Sequence, residues 1–432
     1  MKRKGFFSSF GADGRRLVLL LAFALLVPLV LGGCGGDGYN SPSTATGSSI
    51  VSPATLKAWI DSGKVNGTGY DRVVILDVTT PASYGAGHIP GAQLVDRSTV
   101  NATRSDGVIP AVNMVLDGPS IDSIIQAAGI DGNTTIVITG PGAGLTDYMY
   151  AGRLYFNLRY WGFPKERIKV LNGMNGAYNA AYGLTVGGGT APAAPSSWSV
   201  RNNPSFRDDL RASMAEMMEV AKGNVPGAVV IDGRGSGGSY AGVPRSTAGV
   251  FAPGGDFVAF EGHIKGGRAM SYTDLYVGVD TDVPADGVAD YYELLGAEAM
   301  ADLLTTETGL TSADTAYVHC RTAMISSAMF IAMDGLLGWP TVNYDGSWSE
   351  WGSLAGTSNG GYLDDNSPWR ADTPALTDAL TLNIADGATI EDPSTGGAVN
   401  PFSNTGSKVE IDDRAYYESG GGGGGGGAAP GY

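Results

Sequence analysis

The sequence predicts an α/β protein in which one unit is built twice, each copy a mainly parallel sheet with helices on both faces, followed by a disordered glycine-rich tail. Two observations carry this. Short continuous apolar strands alternate with helical stretches, the pattern of strands covered on both faces. The order of features in the first half then recurs about 160 residues later, which marks a duplicated domain and not a solenoid.

Element by element, the first copy opens with Val73-Val74-Ile75-Leu76, which ends at Asp77, followed by Tyr84 and Gly87-His88-Ile89-Pro90-Gly91. The second opens with Ala228-Val229-Val230-Ile231 ending at Asp232, then Tyr240 and Gly262-His263-Ile264-Lys265-Gly266. Ile136-Val137-Ile138 and Ala316-Tyr317-Val318 are matching buried strands, each followed by a loop and a helix of about 15 residues. Those helices close on Gly162-Phe163-Pro164 and Gly338-Trp339-Pro340, and each copy finishes on a strand and turn, Leu171-Asn172-Gly173 and Tyr344-Asp345-Gly346. The spacing from Asp232 to His263 exceeds that from Asp77 to His88 by 20 residues, so an insertion over about 242–261 is expected as a lid or docking surface.

The N-terminus reads as an export signal. Lys2, Arg3, Lys4, Arg15 and Arg16 precede an apolar run from Leu17 to Leu31, too short for a spanning helix. Leu31-Gly32-Gly33-Cys34 resembles a bacterial lipobox, which assigns Cys34 to a lipid, and Gly35 after it suggests the outer membrane. The expected organisation is a signal peptide at 1–33, a flexible tether at 34–49, domains at 50–190 and 191–372, and an extension with the glycine-rich tail at 373–432. Cleavage before Cys34 leaves 22 basic and 42 acidic residues, a formal charge of −20. So acidic a chain is repelled by nucleic acid and anionic head groups, leaving acyl chains to attach it to a membrane.

With Cys34 lipidated, Cys320 is the sole remaining thiol, and a lone thiol in an exported protein calls for either burial or reactivity. Val318-His319-Cys320-Arg321-Thr322-Ala323-Met324-Ile325-Ser326 reads as a strand end, a tight loop and a helix start, which favours reactivity. Arg321 and the first N–H groups of that helix would stabilise a thiolate. Cys320 is expected at the loop mouth.

Together, the paired Gly-His-Ile motifs, Asp232-Gly233-Arg234, the Cys320 loop and Tyr344-Asp345-Gly346-Ser347-Trp348-Ser349-Glu350-Trp351 resemble a tandem rhodanese, the thiosulfate or mercaptopyruvate sulfurtransferase family, over roughly residues 50–370. The resemblance implies two rhodanese-like domains with the cysteine in the second only; Gly140 falls where Cys320 would be in the first. It implies transfer of sulfane sulfur from thiosulfate or a related anionic donor, through a Cys320 persulfide, to a thiol or cyanide acceptor. Arg321, Thr322, Ala323, Met324 and Ile325 complete the donor-binding loop, whose length is that of sulfurtransferases and not of the phosphatase relatives.

Arg234 stands where the family grips the donor's anionic end, and a salt-bridged loop arginine is the competing reading. The loop is a hybrid. Thiosulfate-type loops often carry a second cation at Thr322, mercaptopyruvate-type loops lack the arginine at 321, and Ala323 replaces the usual glycine. His88 and His263 are read as turn-fixing residues, and His319, one step before the nucleophile on a strand, points away from it. No metal or cofactor is expected, since three dispersed histidines and no second nearby cysteine suit neither zinc nor haem. The competing function is a non-catalytic rhodanese-like lipoprotein supporting an outer-membrane protein complex such as an extracellular electron-transfer conduit.

Overall fold

A computed structural model describes residues 48–106, 110–187, 194–237, 240, 263–355, 390–391, 398–399 and 407–420. Cys34, the 242–261 insertion, residues 421–427 of the glycine run and the boundaries expected at 33/34, 190/191 and 372/373 lie outside them.

The first half begins with β1 (Ile50–Val51) and α1 (Pro53–Asp61), where Ser52 Oγ accepts from Thr55 N and proline fills the first turn. Then come β2 (Val73–Thr79), α2 (Pro81–Ala86), β3 (Ala92–Asp96), the hairpin β4 (Ala102–Ser105) and β5 (Pro110–Met114), α3 (Gly118–Ala127) and β6 (Thr135–Thr139). It closes with α4 (Leu145–Tyr160), β7 (Ile168–Leu171) and α5 (Met174–Tyr182). β1-β7-β6-β2-β3 form one parallel sheet, and every residue of β2 is buried, as a central strand covered on both faces requires.

The second half repeats the plan. It runs through α6 (Met214–Lys222), β8 (Ala228–Asp232), β9 (Arg268–Ala269), the hairpin β10 (Tyr276–Val279) and β11 (Tyr291–Leu294), α7 (Ala297–Thr308) and β12 (Thr315–His319). After β12 come α8 (Met324–Phe330), a wider π-helical stretch at Ile331–Leu337, β13 (Thr341–Asn343) and α9 (Ser347–Ala355). Its parallel sheet has the order β13-β12-β8-β9, the same as β7-β6-β2-β3 of the first.

One apolar core runs through both halves, from Val74 and Ile138 to Ile231, Val318 and Phe330. α4 is its spine. Residues 151–160 are buried without a break, because α4 has its own sheet on one side and α8 on the other. Close approach is possible because residue 152 is glycine: a Cβ there would lie 2.4 Å from the Ser327 carbonyl oxygen. Beside it, Phe156 meets Phe330 edge to face at 5.1 Å, and Asp334, on the π-helical stretch, accepts from Arg159 and Tyr155. Burial alone would raise the Asp334 pKa; Arg159 and the hydrogen bonds hold it below the usual carboxylate range.

Two segments depart from the sequence expectation. Ser49, assigned to the tether, is buried, with its N–H on Gly335 O at 2.8 Å. Within the expected extension, α10 (Lys408–Glu418) docks on the first half and the connecting segment. Arg104 pairs bidentately with Asp413 at 2.7 and 2.8 Å, Tyr416 Oη donates to Asp122, and Glu410 accepts from Arg211. The helix docks through carboxylates and tyrosines, so no apolar stripe announces it.

Candidate functional site

β12 occupies the centre of its sheet and delivers Cys320 one residue beyond its C-terminal end, where ligand crevices of parallel sheets lie. The thiol is not at a loop mouth: Cys320 is 1% exposed. The final turn of the domain wraps over it, Trp348 N donating to the Cys320 carbonyl at 3.0 Å and Ser349 N to that of Arg321 at 2.8 Å. Cys320 N donates to Ser347 Oγ at 3.4 Å.

Of the other loop candidates, Arg321 and Thr322 are half-buried, Ala323 is buried, and Met324 and Ile325 are half-buried in the first turn of α8. α8 thus starts at Met324, before the end of the expected loop. Ala323 caps it at φ 61°, ψ 2°, the left-handed conformation that glycine adopts freely and alanine at a cost of about 1 kcal/mol. The first N–H groups of α8 lack intrahelical acceptors, so the loop opens on the positive end of the helix.

Arg234 follows the end of β8 and is locked to Asp232, its Nε 2.9 Å and its Nη2 2.5 Å from the two carboxylate oxygens. The ion pair of the structural reading is therefore present. The guanidinium also lies over the Trp348 ring, 5.4 Å from its centroid, which carries it to the turn that covers Cys320. Burial lowers the His319 pKa, with Asp232 opposing at 3.7 Å, and its Nδ1 lies 3.2 Å from the Cys320 carbonyl. His88 and His263 bond the carbonyls of Tyr84 and Tyr240 through Nδ1, at 3.0 and 2.9 Å, and stack on those rings; both fix turns.

The first half carries the same frame without the chemistry. Gly140 O accepts from Asn175 N at 2.9 Å as Cys320 O accepts from Trp348 N, and Met174 (φ 50°) matches Ser347 (φ 54°) in left-handed backbone. Asp77 ends β2 as Asp232 ends β8, but Thr79 stands where the second half has Arg234. Without that cation, burial pushes the Asp77 pKa up to about 6, against a hydrogen bond from Asn175. The β10–β11 hairpin closes this side: Tyr291 and Glu293 lie against Gly173.

Several residues around Cys320 escaped the sequence reading. Ser326 Oγ and Ser327 Oγ donate to the Ala323 carbonyl, and Arg153 of α4 donates to Ser327 Oγ at 3.1 Å and to Asp345 at 3.0 Å. Asp345 also accepts from Arg211 at 2.7 Å. Glu350, fully buried beside this group, is pushed well above the usual carboxylate range, first by burial and then by Asp106, and accepts from Tyr344 Oη. Their partners are distant in the chain, so no local pattern marks them. Away from the site, Asp280, Asp282 and Asp286 converge in the β10–β11 connection, where Asp280 and Asp286 cap backbone N–H groups of the turn.

Residues 52–179 match the rhodanese-like domain model. The chain is 25% identical to the sulfur carrier protein TtuD of Thermus thermophilus over 326 residues, 74% of this chain and 97% of that protein. It is 26% identical to the thiosulfate sulfurtransferase of Pseudomonas aeruginosa over 289 residues, 66% of this chain and 90% of that protein. The crystal structure of SseA from Escherichia coli, a 3-mercaptopyruvate sulfurtransferase, aligns over 70% of this chain and 99% of its own with a TM-score of 0.50 at 18% identity, a likeness of fold. The protein thus has the α/β fold of rhodaneses, with parallel sheets flanked by helices, carries a rhodanese-like domain at residues 52–179, and has sulfurtransferases among its relatives.

Proposed function

We propose that the protein is a tandem rhodanese that transfers sulfane sulfur through a persulfide on Cys320. One observation carries the reading: the sole thiol of the described residues sits directly beyond the end of a central parallel strand, in a loop that a left-handed residue turns into a helix N-terminus. The Cys320 thiolate attacks the outer sulfur of thiosulfate, the S–S bond of the donor breaks, and sulfite leaves with the bonding pair. Cyanide or an acceptor thiolate then takes the terminal sulfur from the persulfide, and Cys320 departs as thiolate. Arg321 and Arg234 are the candidate cations for the donor's sulfonate end, Arg234 once its fork is shared with Asp232. Thr322, Ala323, Met324 and Ile325 supply the loop backbone.

The test uses the full chain carrying Cys34→Ser, so that Cys320 is its only thiol. Thiosulfate or mercaptopyruvate is expected to add about 32 Da to the intact mass, one sulfur atom, which cyanide or dithiothreitol removes. Adding Cys320→Ser is expected to abolish the adduct. If neither donor leaves an adduct on folded protein, the sulfurtransferase reading fails.

The same reading places the mature protein at the cell envelope, held at the outer membrane by a lipid on Cys34. Support comes from the basic start, the 17–31 apolar run and the Leu-Gly-Gly-Cys ending. In membrane fractions of expressing cells, Cys34→Ser is expected to release the protein or leave its precursor uncut; fully processed mutant still in the membrane pellet counts against lipidation.

A further inference from the structure

The half that lacks a cysteine reaches the thiol's loop through a buried cation. Arg153 is buried on α4, its Nη1 3.1 Å from Ser327 Oγ and its Nη2 3.0 Å from Asp345 Oδ2. Ser327 Oγ donates onward to the Ala323 carbonyl at 2.7 Å, so the guanidinium is one hydrogen bond from the left-handed residue that opens α8. Asp345 stands two residues before Ser347, which accepts from Cys320 N–H, and three before Trp348, which donates to the Cys320 carbonyl. One planar fork therefore ties together both walls of the loop around the sulfur, a geometry a lysine does not match.

The charge balance points the same way. A cation this deep needs anionic company, and Asp345 is already shared with Arg211, whose Nε lies 2.7 Å from its other oxygen. Arg153 Nε is buried with no hydrogen-bond partner among the described residues, while its two other nitrogens hold the Ser327 and Asp345 ends of the loop that carries Cys320. The titratable and charged groups around the pair are Asp345 and Arg211 on the arginine side, and Arg321, Tyr272 and His319 on the sulfur side.

We propose that Arg153 is a positioning residue for Cys320, fixing both walls of its loop and lending charge to the thiolate, so that the cysteine-free half is part of the active unit. Its purpose rests on the sulfurtransferase reading; its test does not. In the full chain with Cys34→Ser, the ultraviolet absorbance of the Cys320 thiolate is titrated against the same chain carrying Cys320→Ser as well. Arg153→Met is expected to raise the midpoint by about one pH unit, lowering the thiolate fraction near neutrality roughly ten-fold. Arg153→Lys keeps a cation but not the fork and is expected to shift the midpoint about half as far. It decides the matter if Arg153→Met does not fold by near-ultraviolet circular dichroism. A parental midpoint in a folded variant overturns the proposal. Because no sulfur donor is present, a shifted midpoint in a protein that never takes up sulfur sinks the sulfurtransferase reading and leaves the role of Arg153 standing.

Discussion

Arg211→Met is expected to lower stability by about 3–5 kcal/mol, the range for an acid left in the interior without its cation. The guanidinium is fully buried and serves three carboxylates from three parts of the fold: Asp345 at 2.7 Å, Asp106 at 2.9 Å and Glu410 at 2.9 Å. Methionine has similar bulk and none of the donors. Burial already lifts Asp106 and Glu410 above the ordinary carboxylate range against the pull of Arg211, so both take up protons once it is gone. The hairpin end, the turn over Cys320 and α10 then lose their common tie. Denaturant unfolding reads the loss as a lower midpoint, and because the network is out of solvent, added salt should change it little. A loss under about 1 kcal/mol would show that the three acids find other partners.

Gly152→Ala is expected to cost about 2–3 kcal/mol, although alanine favours a helix over glycine by roughly 1 kcal/mol. Sterics outweigh propensity here. The added Cβ would lie 2.4 Å from Ser327 O, 2.6 Å from Ser327 C and 2.8 Å from Ala328 N, all backbone atoms of α8 that have no flexible end to move. α4 and α8 must separate, and Arg153, the next residue, is carried away from Ser327. Gly85→Ala serves as the opposite case, since Gly85 lies within α2 with nothing inside 4 Å of a built Cβ. Propensity acts alone there, so that substitution is expected to be neutral or slightly stabilising. Equal effects of the two substitutions in thermal unfolding would contradict the close helix contact.

The strands and the doubling of the fold were legible because they are local and periodic. Val73-Val74-Ile75-Leu76 and Ala228-Val229-Val230-Ile231 announce buried parallel strands, and the turns that end each half recur in order. The frame at Gly140 and Cys320 was likewise readable from motif order. What the sequence concealed depends on residues far apart in the chain. Arg153 and Arg211 look like ordinary surface arginines until Asp345 arrives 192 and 134 positions later. The burial of Cys320 was also out of reach, because the turn that bonds the Cys320 and Arg321 carbonyls, at Trp348 and Ser349, lies well beyond the loop in the chain. α10 was hidden by its composition, since a helix docked by aspartates and tyrosines reads as a solvated one.

The bond between Arg211 and Glu410 joins positions 199 residues apart, the later of them on α10. A polypeptide emerges N-terminus first, so both sheets and the cysteine loop can form while Arg211 still lacks one of its three acids. The network around Arg211 closes only when α10 arrives. Chains cut short before residue 410 would hold a near-complete core around an under-neutralised cation, and would be the ones that open most readily to proteases. The order of synthesis is thereby written into the stability of the molecule: a chain that has not yet reached α10 carries an open charge network that a chain containing it does not.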